Sequence, residues 1–487
     1  MGKQLLNLEI LRSLLRLPLN GDSKGDEHPL WSRAGLILRT RNALFIGAVA
    51  LSLALSACSL APNYQRPDMA IPSGWSNVAG VGVIAQPGTT PFWRELGSAD
   101  LDRLVEIAMA QNLDLQAALQ RIDQARAQAK VAASPLYPTI NASGSASHTY
   151  QDPKDTNAVR AGGSVSYEVD LWGKNRNAAK SADYRTEGSH FDREALTLVV
   201  TGDVTNFYTQ ILSLNDRIRI AEFNLKNAEE ILRIVEARFS QGSVSGLEVF
   251  QQRVAVNGFR SALASQIEQQ TTSANALAIL LGQAPQNLPV PKFQLASVTL
   301  PRFNLTPPAS LLTARPDIQS AEAGLRAANA DIGAARAAFF PSLTLGLDSA
   351  IAAGFGGPAA AATSIASSLL APIFTGGKLS GNLENVTARQ KELAAHYQKT
   401  VLTAFREVED ALAAHKSANE RAEIARSSVI ESQNAYNIAK ARFDAGAVDY
   451  LNLLDTQRSL FQAQDSESAI NQSQLQSFVQ LRKAMGS

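Results

Sequence analysis

Two periodicities alternate along this 487-residue chain. One is a period of two. In TINASGSASHTY (139–150) every odd position from Thr139 to Thr149 is polar, while the even positions hold Ile140, Ala142, Gly144, Ala146, His148 and Tyr150. SVSYEVDL (164–171) alternates in the same way through Val165, Tyr167, Val169 and Leu171, and SLTLGLDSAI (342–351) through Leu343, Leu345, Leu347 and Ile351. Such alternation predicts strands with one apolar face. A fourth candidate at 364–374 alternates poorly and contains Pro372; loops are expected at 151–161 and 352–362.

The other period is helical. Runs at 112–134 and 317–338 read as helices, each followed by a proline, and very long helices are predicted over 174–240 and 378–444. In the first long run Phe207, Ile211, Leu214, Ile218, Ala221, Leu225, Ala228, Leu232, Val235 and Phe239 alternate steps of four and three residues. That is a coiled-coil seam. The second run keeps the phase with lighter residues: Ala411, His415, Ala418, Ala422, Ala425, Val429, Ser432, Tyr436, Ala439 and Phe443. Closing helices are expected at 246–281 and 450–485.

The two halves are copies. ARFSQGSVSGLEVFQQR (237–253) returns as ARFDAGAVDYLNLLDTQR (441–458), and Arg238 to Arg442 is an offset of 204. NLDLQ (112–116) matches RPDIQ (315–319), Tyr137-Pro138 matches Phe340-Pro341, and LWGK (171–174) matches TGGK (375–378) at the same offset within one residue. The expected organisation is a leader at 1–57, an N-terminal segment at 58–97, a first repeat at 98–296, a connector at 297–310 and a second repeat at 311–487.

Length adds a constraint. A 67-residue helix is about 100 Å long at 1.5 Å per residue. The two shorter helices of each repeat nearly match it when stacked end to end. Four strands cannot close a barrel, and open sheet edges are not tolerated in lipid. An oligomer is therefore implied, with three chains the smallest assembly that leaves an open pore.

Composition narrows the function more than the fold. Net charge is +1 with 18% charged residues, so no basic excess points to nucleic acid. The single cysteine excludes a disulfide framework and a Cys-based zinc site. Cys58 ends ALFIGAVALSLALSAC, an uncharged run flanked by Arg39 and Arg41 and short for a bilayer span. Leu55-Ser56-Ala57-Cys58 resembles a bacterial lipobox, and Ser59 resembles lipoproteins sorted to the outer membrane; a secretory signal with an incidental cysteine is the alternative. The 42 residues before the h-region are long for an n-region, consistent with a start codon placed too far upstream.

RPDIQSAEAGLRAANADIGAARAAFFPSLTL (315–345), SYEVDLWGK (166–174), the paired ARFxxGxV turns and CSLAPNYQRP (58–67) together resemble the outer-membrane efflux proteins of the TolC/OprM type, lipoprotein branch. The resemblance covers essentially 58–487. It implies a mainly α fold with a transmembrane β-barrel. Each chain would give four β-strands and a duplicated long-helix coiled coil, and a homotrimer would form a 12-stranded barrel and a 12-helix periplasmic tunnel. It implies lipidation at Cys58, contact with outer-membrane lipid, and two partners: a periplasmic adaptor (membrane fusion) protein and an inner-membrane transporter of the RND type. The hairpin tips at Gly242, Val244, Gly446 and Val448 would meet the adaptor. By position after the motif, Glu248, Gln251, Asn452 and Asp455, with Arg442 beside them, would form the periplasmic gate. The family commonly carries more acid on the second copy, from which Asn452 departs.

No catalytic constellation competes with this reading, and no cofactor is expected. The five histidines are scattered without ligand spacing; His415 falls on a heptad seam, where packing or a solvated layer outweighs metal binding, and GGK (376–378) reads as a helix start rather than a phosphate loop. Two alternatives remain: the outer-membrane channel of a type I protein-secretion system, and a non-conducting envelope lipoprotein.

Overall fold

The computed structural model describes residues 60–76, 82–83, 91–150, 152, 155–301, 304–354, 358–445, 447 and 450–487. Cys58 and the apolar run before it lie outside the described residues.

The order of elements is that of a duplication. A helix α1 (Ala99–Gln111) leads into α2 (Leu113–Ala133), the strands β1 (Thr139–Thr149) and β2 (Thr156–Val169), the long helix α3 (Lys174–Ser240) and its return α4 (Gly246–Leu280). The second copy comprises α5 (Pro316–Ala337), β3 (Ser342–Gly354), β4 (Ala360–Leu370), α6 (Lys378–Asp444) and α7 (Tyr450–Met485). Both long helices have 67 residues.

The offset of 204 survives in side-chain contacts. Gln270 donates to Asn215 at 2.5 Å within the first repeat, and Gln474 donates to Asn419 at 2.6 Å within the second. Gly282 (φ +67°) and Gly486 (φ +78°) end the returning helices. A Cβ on either would meet a backbone oxygen, Gln111 O at 2.4 Å or Ala314 O at 2.7 Å, so only glycine fits both the dihedral and the close approach. These contacts also show how short helices complete the length of long ones. Asn112 caps α2 by accepting from Leu115 N (3.0 Å) and donates to Leu280 O (2.9 Å), so α4 ends where α2 begins. In the second copy Arg315, at the start of α5, donates to Ala484 O (2.8 Å) near the end of α7.

The four strands form one antiparallel sheet in sequence order. Ile140, Val165, Leu347 and Ile365 stand opposite one another across it, and so do Tyr167, Leu345 and Ser367. The other face carries Asn141, Ser164 and Asp348 with Ser364. An apolar face backed by a small polar one is the pattern of a barrel strand between lipid and lumen. The expected loops proved too long. β2 begins at Thr156 and β3 runs to Gly354, so ladder pairing from Ala158↔Gly354 inward recruits residues whose own alternation is weak. The fourth strand lies at Ala360–Leu370, four residues earlier than expected, and Pro372 follows it rather than interrupting it. Helix α1 was not anticipated; Ser98 caps it, and Leu101, Leu104, Val105 and Ala108 bury one face.

Two apolar cores hold the helices. One, near the middle, gathers Phe92, Leu101, Tyr208, Ile211, Leu277, Ile318, Val401, Val408 and Phe478. The heptad seam explains the packing of the long helices: of its twenty residues only Phe239 is exposed. His415 belongs to that seam. It is buried against Ser477 Oγ (3.0 Å from Nδ1), and loss of hydration holds its pKa below the ordinary imidazole value.

An extended N-terminal segment, 60–76, is strapped along the second repeat. Asn329 donates to Pro62 O (2.7 Å), and Trp75 Nε1 to Thr306 O (2.7 Å). Between these points Glu322 accepts from Tyr64 (3.3 Å), Arg66 (2.7 Å) and Arg326 (3.2 Å). Replacing Glu322 by Ala removes the shared acceptor. The expected cost is about 1–3 kcal/mol, discounted because Arg66 is partly exposed. Limited proteolysis should then clip within 60–76 in the variant and spare the wild type.

Candidate functional site at the hairpin tips

The turns that join α3 to α4 and α6 to α7 lie a full long-helix length from the sheet. Arg238 O accepts from Ser243 N (2.9 Å), and Gly242 adopts φ +72° with nothing within 4 Å of its missing side chain. Dihedral preference alone therefore selects glycine there. Val244 packs partly buried against the tip core. In the second copy Arg442 O accepts from Ala447 N (2.8 Å), while Gly446 and Val448 lie outside the described residues.

The predicted gate residues divide. Glu248 is turned back on its own helix start: Ser245 N donates to Glu248 Oε2 (3.0 Å), and the Ser245 hydroxyl bonds the same oxygen, completing a capping box. That hydroxyl bond, first, and the backbone donors hold the Glu248 carboxyl below its ordinary range. Gln251 is half-buried, whereas Asn452, Asp455 and Arg442 are exposed. Among the described residues no ion pair joins Asp455 to Arg442 or Arg458; the nearby pair is Lys440 with Asp444 at 3.0 Å. The geometry thus gives Glu248 a capping role and leaves Asp455 free for solvent or a neighbouring chain.

A buried latch went unpredicted. Tyr450, at the first residue of α7, donates its hydroxyl to Gln252 Oε1 on α4, and Gln252 Nε2 donates to Ala228 O on α3 (2.6 Å). Gln252 is fully buried and Tyr450 nearly so. Burial raises the Tyr450 pKa, so the phenol remains the donor. Farther along, Arg217 donates to both Asp465 oxygens (2.7 and 3.0 Å), Gln266 joins the same carboxylate (2.8 Å), and Asn224 donates to Gln464 (3.2 Å). The Arg238 guanidinium lies 4.5 Å from the Phe443 ring centroid, and Phe259 meets Phe461 edge-on at 5.1 Å. The two hairpins of one chain share a single apolar cluster containing Ile231, Val249, Phe259, Tyr436, Leu453 and Leu454. The sequence did carry one signal for the latch: Tyr450 aligns with Gly246, an unequal pair in otherwise matched turns.

The outer membrane efflux protein family matches residues 104–283 and 308–487, one match for each repeat. The chain belongs to that family. Among its relatives, the pyoverdine export outer membrane protein OpmQ of Pseudomonas putida is 37% identical over 90% of this chain and 96% of its own. The cation efflux system protein CusC of Escherichia coli O157:H7 is 31% identical over 90% and 97%. The solved structure of the outer-membrane channel OprN superposes with a TM-score of 0.81 at 26% identity, over 88% of this chain and 99% of that one. A CusC structure gives 0.80 at 28% identity, over 88% and 100%. The expected fold class is borne out by these matches: a mostly helical chain with four antiparallel strands, built like an outer membrane efflux channel.

Substituting Tyr450 by Phe keeps the ring and leaves the buried Gln252 oxygen without its donor. The expected loss is about 1–3 kcal/mol of local stability. Amide exchange at the first turns of α4 and α7 should accelerate about ten-fold or more, since a factor of ten corresponds to ~1.4 kcal/mol. Unchanged exchange there would show that the latch holds nothing.

Proposed function

We propose that this chain is the exit duct of a tripartite efflux pump, a lipid-anchored homotrimer that passes small molecules across periplasm and outer membrane without catalysis. The observation that carries it is the joining of one incomplete four-stranded sheet to two 67-residue helices in each chain. Three copies give twelve strands, enough for a lumen. They also give twelve strand-to-strand ladders and no free edge in lipid.

The strap supports the anchor. Ala61 lies against Gly333, where a Cβ would come within 2.6 Å of it, near the membrane end of α5. Three residues of chain reach about 10 Å at most, so Cys58 stays within that distance of Ala61. A lipid on Cys58 would then enter the periplasmic leaflet beside the barrel. Tip surfaces around Gly242, Val244, Gly446 and Val448 would take the periplasmic adaptor, and an RND transporter in the inner membrane would supply the energy. Relatives are named for pyoverdine, toluene and cation export, so the named cargo differs while the export role is shared.

The test is reconstitution of the purified full chain into planar bilayers, with trimer formation measured in detergent. Stepwise ion conductance from a trimer is expected; a non-conducting trimer would instead support an envelope tether. Replacing Glu248 and Asp455 together by Ala should raise resting conductance if they narrow the entrance, and unchanged conductance would remove both from the gate. Cys58→Ser should abolish palmitate incorporation in growing cells.

A further inference from the structure

The five most exposed large apolar side chains among the described residues all lie on or just beyond the outer strands of the sheet. Ile140 and Tyr150 go with β1, and Ile365, Ile373 and Phe374 go with β4. Ile373 is 93% exposed and Phe374 is 90% exposed. Among the described residues, β1 and β4 are also the strands of this sheet that pair on one side only. A strand edge that carries an apolar row into the open is a template for another strand.

The duplication says which residues would meet there. Anchors on either side of the hairpins fix two shifts: 203 residues from Tyr137-Pro138 to Phe340-Pro341, and 204 from LWGK to TGGK. The first shift applies to the opening strand of each hairpin and the second to its closing strand. Both hold within the sheet. Thr139 opposite Ser166 becomes Ser342 opposite Leu370, and Ile140 opposite Val165 becomes Leu343 opposite Leu369. Each shifted pair is one that the second hairpin forms.

The same shifts carry the β2–β3 ladder onto β4 and the β1 of another copy, because β4 is the counterpart of β2 and β1 that of β3. Val165 opposite Leu347 becomes Leu369 opposite Gly144, and Ala161 opposite Ile351 becomes Ile365 opposite His148. Ser164 opposite Asp348 becomes Ser368 opposite Ser145. Carried past the end of β4, Val169 opposite Leu343 becomes Ile373 opposite Ile140.

Two features of the strands agree with this register. Ile365 and Leu369 fall on the side of Ile140, and Ser364 and Ser368 on the side of Ser145 and Thr149. A slip of one residue would bring Ile365 level with Ser147 or Thr149 and turn the apolar row to the polar face. Gly144 has nothing within 4 Å of its missing side chain, which leaves room for Leu369, itself 68% exposed.

We propose that β4 of each copy joins β1 of the next in this register, with Leu369 over Gly144, Ser368 opposite Ser145 and Ser364 opposite Thr149. Ile373 on Ile140 covers the end of the junction nearest the helices. The inference rests on the trimeric channel reading and adds which residues of a second copy cover the exposed edge. The six repeats of three copies then occupy equivalent places round the barrel.

Cysteine pairs in the full chain test it. Directly opposite residues of an antiparallel pair lie about 4.5–5.5 Å apart at Cα. That is within disulfide reach, whereas partners two residues out of step are too far apart. Ser145→Cys with Ser368→Cys, and Thr149→Cys with Ser364→Cys, should on mild oxidation give bands at two and three chain masses on a non-reducing gel. Reduction should remove them. Ser143→Cys or Ser147→Cys, each combined with Ser368→Cys, should give at least ten-fold less linked material. A conducting trimer that links as well through Ser143 or Ser147, or through none of these positions, overturns the register alone. A chain that stays monomeric and non-conducting overturns the channel reading and the junction with it.

Discussion

The outer edges of β1 and β4 present rows of backbone N–H and C=O groups, and among the described residues no further strand pairs with them. One face of that sheet is apolar, with Ile140 at 77% and Ile365 at 85% exposure. In water such edges would be solvated; in lipid each unsatisfied group costs several kcal/mol. Closure by further copies is the only way to place this face in a membrane. The rest of the architecture follows from that requirement. Every strand pair must continue into helices that can also close a ring, because the copies that share a barrel share what hangs beneath it.

The helical ring solves this with two kinds of length. A single 67-residue helix runs unbroken, while its neighbours are assembled from pieces joined end to end, at Asn112 with Leu280 and at Arg315 with Ala484. The joints coincide with the larger apolar core, so the breaks in the shorter helices fall where burial is greatest. Near the tips the core is smaller, and seam positions such as Ala221, Ala228, Ala425 and Ala439 let helices approach closely. Less apolar area is buried there, so polar links such as Arg217–Asp465 and Tyr450–Gln252 carry a larger share of the cohesion.

Legibility in the sequence tracked how local each determinant was. The limits of α3 and α6 were readable to the residue because LWGK and TGGK start them and the ARF turns end them. The heptad was readable because ten residues in a row obeyed it. Strand ends were not, since Thr156–Ala161 and Ala352–Gly354 are held by ladder partners rather than by their own pattern. The capping use of Glu248 was visible in principle, as Ser245 precedes it by three residues, yet motif position alone had suggested a gate. The latch was hardest. It joins residues 198 apart, and only the unequal pair of Tyr450 with Gly246 in the repeat marks it.

Duplication explains why such a latch could arise at all. Two identical hairpins would carry the same residues at corresponding places. Two fused but diverging copies need not. Tyr450 and Asp465 of the second repeat bond to Gln252 and Arg217 of the first, whereas Gly246 and Ser261 stand at the corresponding places of the first repeat. The backbone is repeated; the side chains at these few positions are not, and the difference between the two hairpins resides in them.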